Sequence, residues 1–213
     1  MEDPLDVVAV RVLGSLIEKE VTTPDNYPLT LNALVAACNQ TSNRDPVLAV
    51  NETSVAERLK ELSRRSLVRE VYRSDSRAKR YRHVLSESKH LHPAELAALS
   101  VLMLRGPQTT GEIRTRASRL FEFVDLAHVD VTLQALMTLG TPLVAQLPRQ
   151  PGQKEVRHAH LFSGEPPAVT AEPGHVGHVE ADRVAALEQA MDSLRAEMAE
   201  LRTRFEEFRR EFQ

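Results

Sequence analysis

"SLVREVYRSDSRAKRYRHVL", residues 66–85, sets two arms rich in Val, Tyr and Leu on either side of a polar "SDSRA". β-branched and aromatic residues favour extended backbone, and a short polar break between two such arms favours a hairpin. What precedes the hairpin decides its meaning. In "DVVAVRVLGSLIEKE", residues 6–20, Val8, Val12, Leu13, Leu16 and Ile17 share one side at three-and-four spacing, which predicts a helix that Pro24 and Pro28 close. "LTLNALVAAC", residues 29–38, predicts a second helix, with Thr30 as cap and Leu31, Leu34, Val35 and Cys38 on a stripe. A third begins near Asn51 and turns Val55, Leu59 and Leu62 inward. "VLAV", residues 47–50, reads as a short strand beside the hairpin. Three helices followed by a hairpin predict a winged helix-turn-helix.

The same order recurs. "PAELAALSVLMLRG" (93–106), "TTGEIRTRASRL" (109–120) and "AHVDVTLQALMTLG" (127–140) predict three more helices, the second opened by a Thr109-to-Glu112 capping box. "LVAQLPR" and "EVRHAHLF", joined by "QPGQ", predict a second hairpin. Val129, Leu133 and Leu136 repeat the spacing of Val55, Leu59 and Leu62. The expected class is therefore mainly α with small β-hairpins: two tandem winged helix-turn-helix domains, 1–88 and 89–164, plus a C-terminal coiled-coil helix. Residues 165–178, rich in Pro and Gly, read as a flexible linker. Residues 179–213 read as an amphipathic helix.

In that last helix Val184, Leu187, Met191, Leu194, Met198, Leu201, Phe205, Phe208 and Phe212 alternate by three and four, flanked by charge. Such a stripe needs a partner surface. It can fold back on the body or pair with a second copy; the period near 3.5 and the linker favour a homodimer.

Composition bounds the function. At 213 residues, 42% hydrophobic and 27% charged, the chain can bury a core. The formal charge of −3 gives no whole-molecule attraction for nucleic acid, so binding of that kind needs a local basic cluster. One cysteine fits a reducing compartment. The acidic "MEDPLDVV" does not read as a secretory leader, and the apolar run "LAALSVLML" (96–104) is too short for a bilayer, so a cytoplasmic protein without a membrane partner is expected.

"AACNQTSNRDPV", residues 36–47, holds that cysteine. Cys38 sits near the C-terminal end of its helix, the wrong pole for a reactive thiolate, and its spacing turns it inward, so it reads as a packing residue. The stretch has no glycine to wrap a phosphate. Arg44 can reach a phosphate or hold the turn by bonding carbonyls; the second reading is favoured.

Three blocks, "RVLGSLIEKEVTTPDNYPLTLNALVAACNQTSNRDPV", "LRGPQTTGEIRTRASRL" and "RQPGQKEVRHAHLFSG", closely resemble the YceH-like family of uncharacterised bacterial proteins, over Val7 to Gly164. The resemblance implies a tandem winged helix and carries no established activity.

A winged helix reads DNA with its third helix and grips the backbone with its hairpin. The outer face of the first third helix carries Thr53, Glu57, Lys60 and Arg64, edged by Glu61 and Arg65, and the hairpin crowds Arg69, Arg73, Arg77, Lys79, Arg80 and Arg82. The expected contacts to double-stranded DNA are Lys60, Arg64, Arg65, Arg73, Arg77, Lys79, Arg80 and Arg82, against the alternative of a solvated charged hairpin. Tyr72 and Tyr81 are expected to pack across it. The matching face of the second unit, Ala127, Val131, Gln134 and Thr138, has no lysine or arginine and suits a protein partner. Arg105, Arg114, Arg116 and Arg119 read as mostly surface charge. His158 and His160 lack convergent ligands for a metal, and no nucleophile or zinc-protease motif occurs, so neither catalysis nor a cofactor is expected. The reading is a DNA-binding regulator, with a non-catalytic adaptor as the alternative.

Overall fold

Asp6 accepts a hydrogen bond from the Ala9 N–H at 2.8 Å and starts the first helix, α1 (Val7–Thr22). The computed structural model describes residues 3–73, 76–149 and 155–165. Of the stripe read from sequence, Val12, Leu13, Leu16 and Ile17 are buried in α1 and Val8 is half-buried, but Arg11, Gly14, Ser15 and Glu18 are buried too. The helix is covered on both sides because α5 (Pro93–Arg105) packs along it. Gly14 permits that approach: a Cβ there would lie 2.9 Å from the Met103 Cβ. Ser100 Oγ donates to the Gly14 carbonyl at 3.3 Å across the same contact.

After α1 the chain forms β1 (Leu29–Thr30), α2 (Leu31–Cys38), α3 (Glu52–Arg64), β2 (Val68–Arg73) and β3 (Ser76–His83). Thr30 caps α2 through the Ala33 N–H, and Asn51 caps α3 through the Ser54 N–H. The three strands form an antiparallel sheet in the order β1-β3-β2, with Leu29 opposite Tyr81 and Glu70 opposite Tyr81. The strand added to the hairpin is thus Leu29–Thr30 and not Val47–Val50, which stays irregular. The Asn39 side chain explains it: its amide donates to the Val50 carbonyl and its oxygen accepts the Val50 N–H, each at 2.8 Å, satisfying the backbone that a strand would have paired.

The second half follows the same order. A short α4 (Leu85–Lys89), which the sequence reading did not include, leads into α5, and then come α6 (Thr110–Ala117), α7 (Leu126–Thr138), β4 (Val144–Gln146) and β5 (His158–His160). The Thr109–Glu112 capping box forms in both directions, at 3.2 and 2.9 Å. β4 and β5 pair antiparallel, Val144 opposite His160. Gln108 bridges His158 through both backbone groups, at 3.0 and 2.8 Å. In each half, therefore, the residue just before the second helix joins the second hairpin strand: Leu29–Thr30 in one, Gln108 in the other.

The described residues are mainly helical, with two small antiparallel sheets. One apolar cluster holds Val55, Leu59 and Leu62 of α3, Leu13 and Leu16 of α1, Leu99 and Leu102 of α5, and Val129, Leu133 and Leu136 of α7. α1 and α5 are its centre, which leaves the outer faces of α3 and α7 to solvent. No described helix is long and apolar enough to cross a membrane. The linker beyond Glu165 and the 179–213 helix, with all nine proposed oligomerisation residues from Val184 to Phe212, lie outside the described residues.

Candidate nucleic-acid interface

α3 is held by its buried Val55, Leu59 and Leu62, and its opposite face looks away from the core. Beside it runs the β2–β3 hairpin, and the two enclose a cleft of about 760 Å³ lined by Lys60, Ser63, Arg64, Glu70, Lys79 and Tyr81 among others. Lys60 and Arg64 are exposed and make no ion pair among the described residues. Lys79 lies on the hairpin side of the cleft and pairs with Glu70 at 3.1 Å. Glu70 also accepts from the Tyr72 hydroxyl at 2.6 Å. The bonds from Tyr72 and Lys79 lower the Glu70 pKa, and the same bonds to Glu70 raise those of Tyr72 and Lys79. All three groups are solvated, so the pairing is weak.

The remaining cations named from sequence are not gathered there. Arg80 turns to the β1 side and donates to the carbonyls of Pro28 at 2.8 Å and Asn26 at 3.4 Å. Arg82 pairs with Glu87, and so does Arg69 at 3.6 Å. Arg65 pairs with Glu61 at 3.1 Å and donates to the Asp3 carbonyl. Arg73 and Arg77 take part in the strands through their backbone, while their side chains lie outside the described residues. Strand alternation is the reason for the split: Arg80 and Arg82 fall on one face of β3, Lys79 and Tyr81 on the other. Tyr81, expected to pack across the hairpin, lies opposite Glu70 on it and packs against the core, whereas Tyr72 is 62% exposed and bonds Glu70.

Within residues 36–47, Arg44 is the centre of a buried polar knot. Arg44 donates to the Ala37 and Asn43 carbonyls, to Gln40 Oε1 and to both carboxylate oxygens of Glu18. It holds the turn, as the favoured reading had it. Sequence reasoning missed its partner Glu18 and the buried Arg11 nearby, because both stand at positions that a solvated helix would also fill with charge. Arg11 donates to the carbonyls of Cys38 at 3.1 Å and Pro46 at 2.6 Å. Cys38 is buried, and burial pushes its thiol up to about 11.

On the second unit, α7 exposes Ala127, Val131, Gln134 and Thr138. Val131 is 68% exposed, and Val124 and Leu126, just before and at the start of the helix, are 77% and 48% exposed. Arg114 is spent on the Val124 and Phe123 carbonyls. Among the described residues no group of three or more His, Cys, Asp or Glu side chains is placed to hold a metal.

Residues 5–153 match the family described as "Protein of unknown function, DUF480". The chain belongs to the DUF480 family. It is 50% identical over 220 residues to a UPF0502 protein of Geotalea uraniireducens and 51% identical over 221 residues to UPF0502 protein GSU0233 of Geobacter sulfurreducens, with 100% of each chain covered in both cases. It is 44% identical over 212 residues to UPF0502 protein azo0627 of Azoarcus, covering 98% of this chain and 94% of that one. DUF480 membership accords with the YceH-like resemblance. The match takes in both sets of three helices and β4, so family membership extends over the α3 cleft and the α7 face alike.

Proposed function

We propose that this protein is a cytoplasmic, non-catalytic regulator built from two tandem winged helices, which binds duplex DNA through α3 and the β2–β3 hairpin, the cleft between them facing a phosphate strand. The observation that carries the proposal is the position of Lys60 and Arg64, exposed, without acidic partners among the described residues, and lining one cleft with Lys79. The Lys79–Glu70 pair is solvated and yields to a phosphate at little cost. Arg73 and Arg77 extend this basic edge in sequence. Neutralising phosphates releases counterions, so binding weakens steeply with salt, and α3 side chains sample base edges once the backbone is held.

The test is duplex binding across a salt series. Lys60→Ala and Arg64→Ala each reduce the slope of log affinity against log salt by about 1 and weaken binding to all sequences alike. Negligible affinity already at low salt removes the proposal.

A second reading has its own observation. The exposed Val124, Leu126 and Val131 beside a face without cations suit a protein partner better than a phosphate backbone, and would make the second unit an adaptor. The stripe from Val184 to Phe212 supplies homodimerisation in either case. Light scattering of the chain with and without residues 179–213 tests this: the full chain is a dimer and the shortened chain a monomer, and a monomer in both removes it.

A further inference from the structure

The Asn39–Pro46 connector ends against the second unit at a small pocket of about 30 Å³, lined by Glu18, Asn43, Arg105, Arg116 and Arg119 with apolar neighbours. The geometry points to this pocket as a binding site for a phosphate group, as inorganic phosphate or the terminal phosphate of a small phosphomonoester, clamped by Arg105, Arg116 and Arg119.

The three guanidinium groups converge without enough carboxylate to neutralise them. Glu18 is taken by Arg44 at 2.6 Å and Lys19 at 3.3 Å. Glu112 is shared by Arg157 at 2.9 Å and Arg116 at 3.5 Å. Arg105 and Arg116 otherwise rest on neutral acceptors, Asn43 Oδ1 and Gln108 Oε1. Arg119 makes no hydrogen bond or ion pair among the described residues. Burial and then repulsion from Arg116 and Arg44, only partly offset by Glu18, hold the Arg105 pKa below its ordinary value. A cluster in this state gains from any oxyanion that can face several planar forks at once, and a dianionic phosphate gains most.

Size narrows the ligand. A space of about 30 Å³ excludes a base or sugar, so a phosphate meets the three side chains at the mouth of the pocket, with at most one oxygen inside it. Arg116 and Arg119 stand exposed at its mouth, so the rest of a small ester can remain in solvent. The lining residues come from α1, the connector, α5 and the α6 end, so a bound phosphate ties the first unit to the second. This site is separate from the α3 cleft and does not depend on DNA binding.

Inorganic phosphate, titrated calorimetrically into the full chain at ionic strength matched with chloride, tests the proposal. Saturable binding that chloride does not reproduce is expected. Arg119→Ala, which removes an exposed side chain bonded to nothing described, weakens it by about tenfold or more, and Arg119→Glu abolishes it. Arg64→Ala leaves it unchanged. Equal responses to phosphate and chloride, or wild-type affinity in both Arg119 variants, overturn the site. Phosphate binding that survives Arg119→Ala but is lost in Arg64→Ala overturns it in favour of the α3 cleft. Displacement of bound phosphate by an unphosphorylated duplex overturns the small-ligand assignment.

Discussion

Arg44 grips Glu18 with both ends of its guanidinium, Nη1 to Oε1 at 3.2 Å and Nη2 to Oε2 at 2.6 Å, across 26 residues of chain and away from solvent. Removing one partner strands the other as a buried charge. Arg44→Ala and Glu18→Ala are each expected to cost about 3–5 kcal/mol, read as a lower denaturant midpoint. Burial alone would raise the Glu18 pKa, but the Arg44 bond and charge, with Lys19, bring it below the ordinary value. A carboxylate depressed on folding contributes its stability above its unfolded pKa and loses it as pH falls through the folded one. Unfolding free energy therefore drops on acidification below about pH 4.3, and Glu18→Gln flattens that drop.

Gly14 tests the packing of α1 on α5. Alanine improves helix propensity by about 1 kcal/mol. Its Cβ would meet the Met103 Cβ at 2.9 Å and Leu104 Cγ at 3.1 Å, atoms near the backbone that cannot swing aside. Overpacking of that kind costs about 1–3 kcal/mol, so Gly14→Ala is expected to destabilise on balance. A raised denaturant midpoint would show that the two helices separate freely.

Arg80 and Arg64 separate an arginine bonded within the fold from one proposed to grip DNA. Arg80 serves the Pro28 and Asn26 carbonyls, so Arg80→Ala is expected to lower stability by about 1 kcal/mol and leave the salt dependence of DNA binding as it was. Arg64→Ala is expected to stay within about 0.5 kcal/mol in stability while changing the salt slope. Chemical denaturation and the salt series, run on both variants, read the difference.

His160 predicts a pH dependence of the second hairpin. Its Nδ1 is buried without a hydrogen-bond partner among the described residues, and burial pushes its pKa down to about 4. The unfolded chain takes up that proton first, near pH 6.5, so stability is full above this value and falls as pH drops towards 4. His158, also pushed down by burial, adds in the same direction. His160→Phe is expected to reduce the slope of unfolding free energy against pH over this window; an unchanged slope refutes the assignment.

Both helix triplets and both hairpins were legible because their signals are local. A capping residue bonds an N–H three positions on, as Asp6, Asn51, Thr109 and Asp125 all do, and an apolar stripe repeats within one or two turns. The misplaced strand shows where this ends: nothing local in "VLAV" says that Asn39 will occupy the Val50 backbone. The candidate interface was legible as an inventory of cations. Which of them stay free was not, because Glu87 and the Pro28 carbonyl reach Arg82 and Arg80 only once the hairpin is seated.

The amino-acid order by itself determined the six longer helices, their inward faces and the repeat of three helices and a hairpin, each of which depends on residues within a few positions of one another, though not β1 or α4. Tertiary structure alone decided that the middle of α1, Ala9 to Glu18, is buried on all sides, that Arg11, Glu18 and Arg44 form one knot, and that Arg105, Arg116 and Arg119 converge. Those outcomes depend on distances between groups far apart in the chain, and charge, unlike apolar periodicity, carries no mark of its eventual partner.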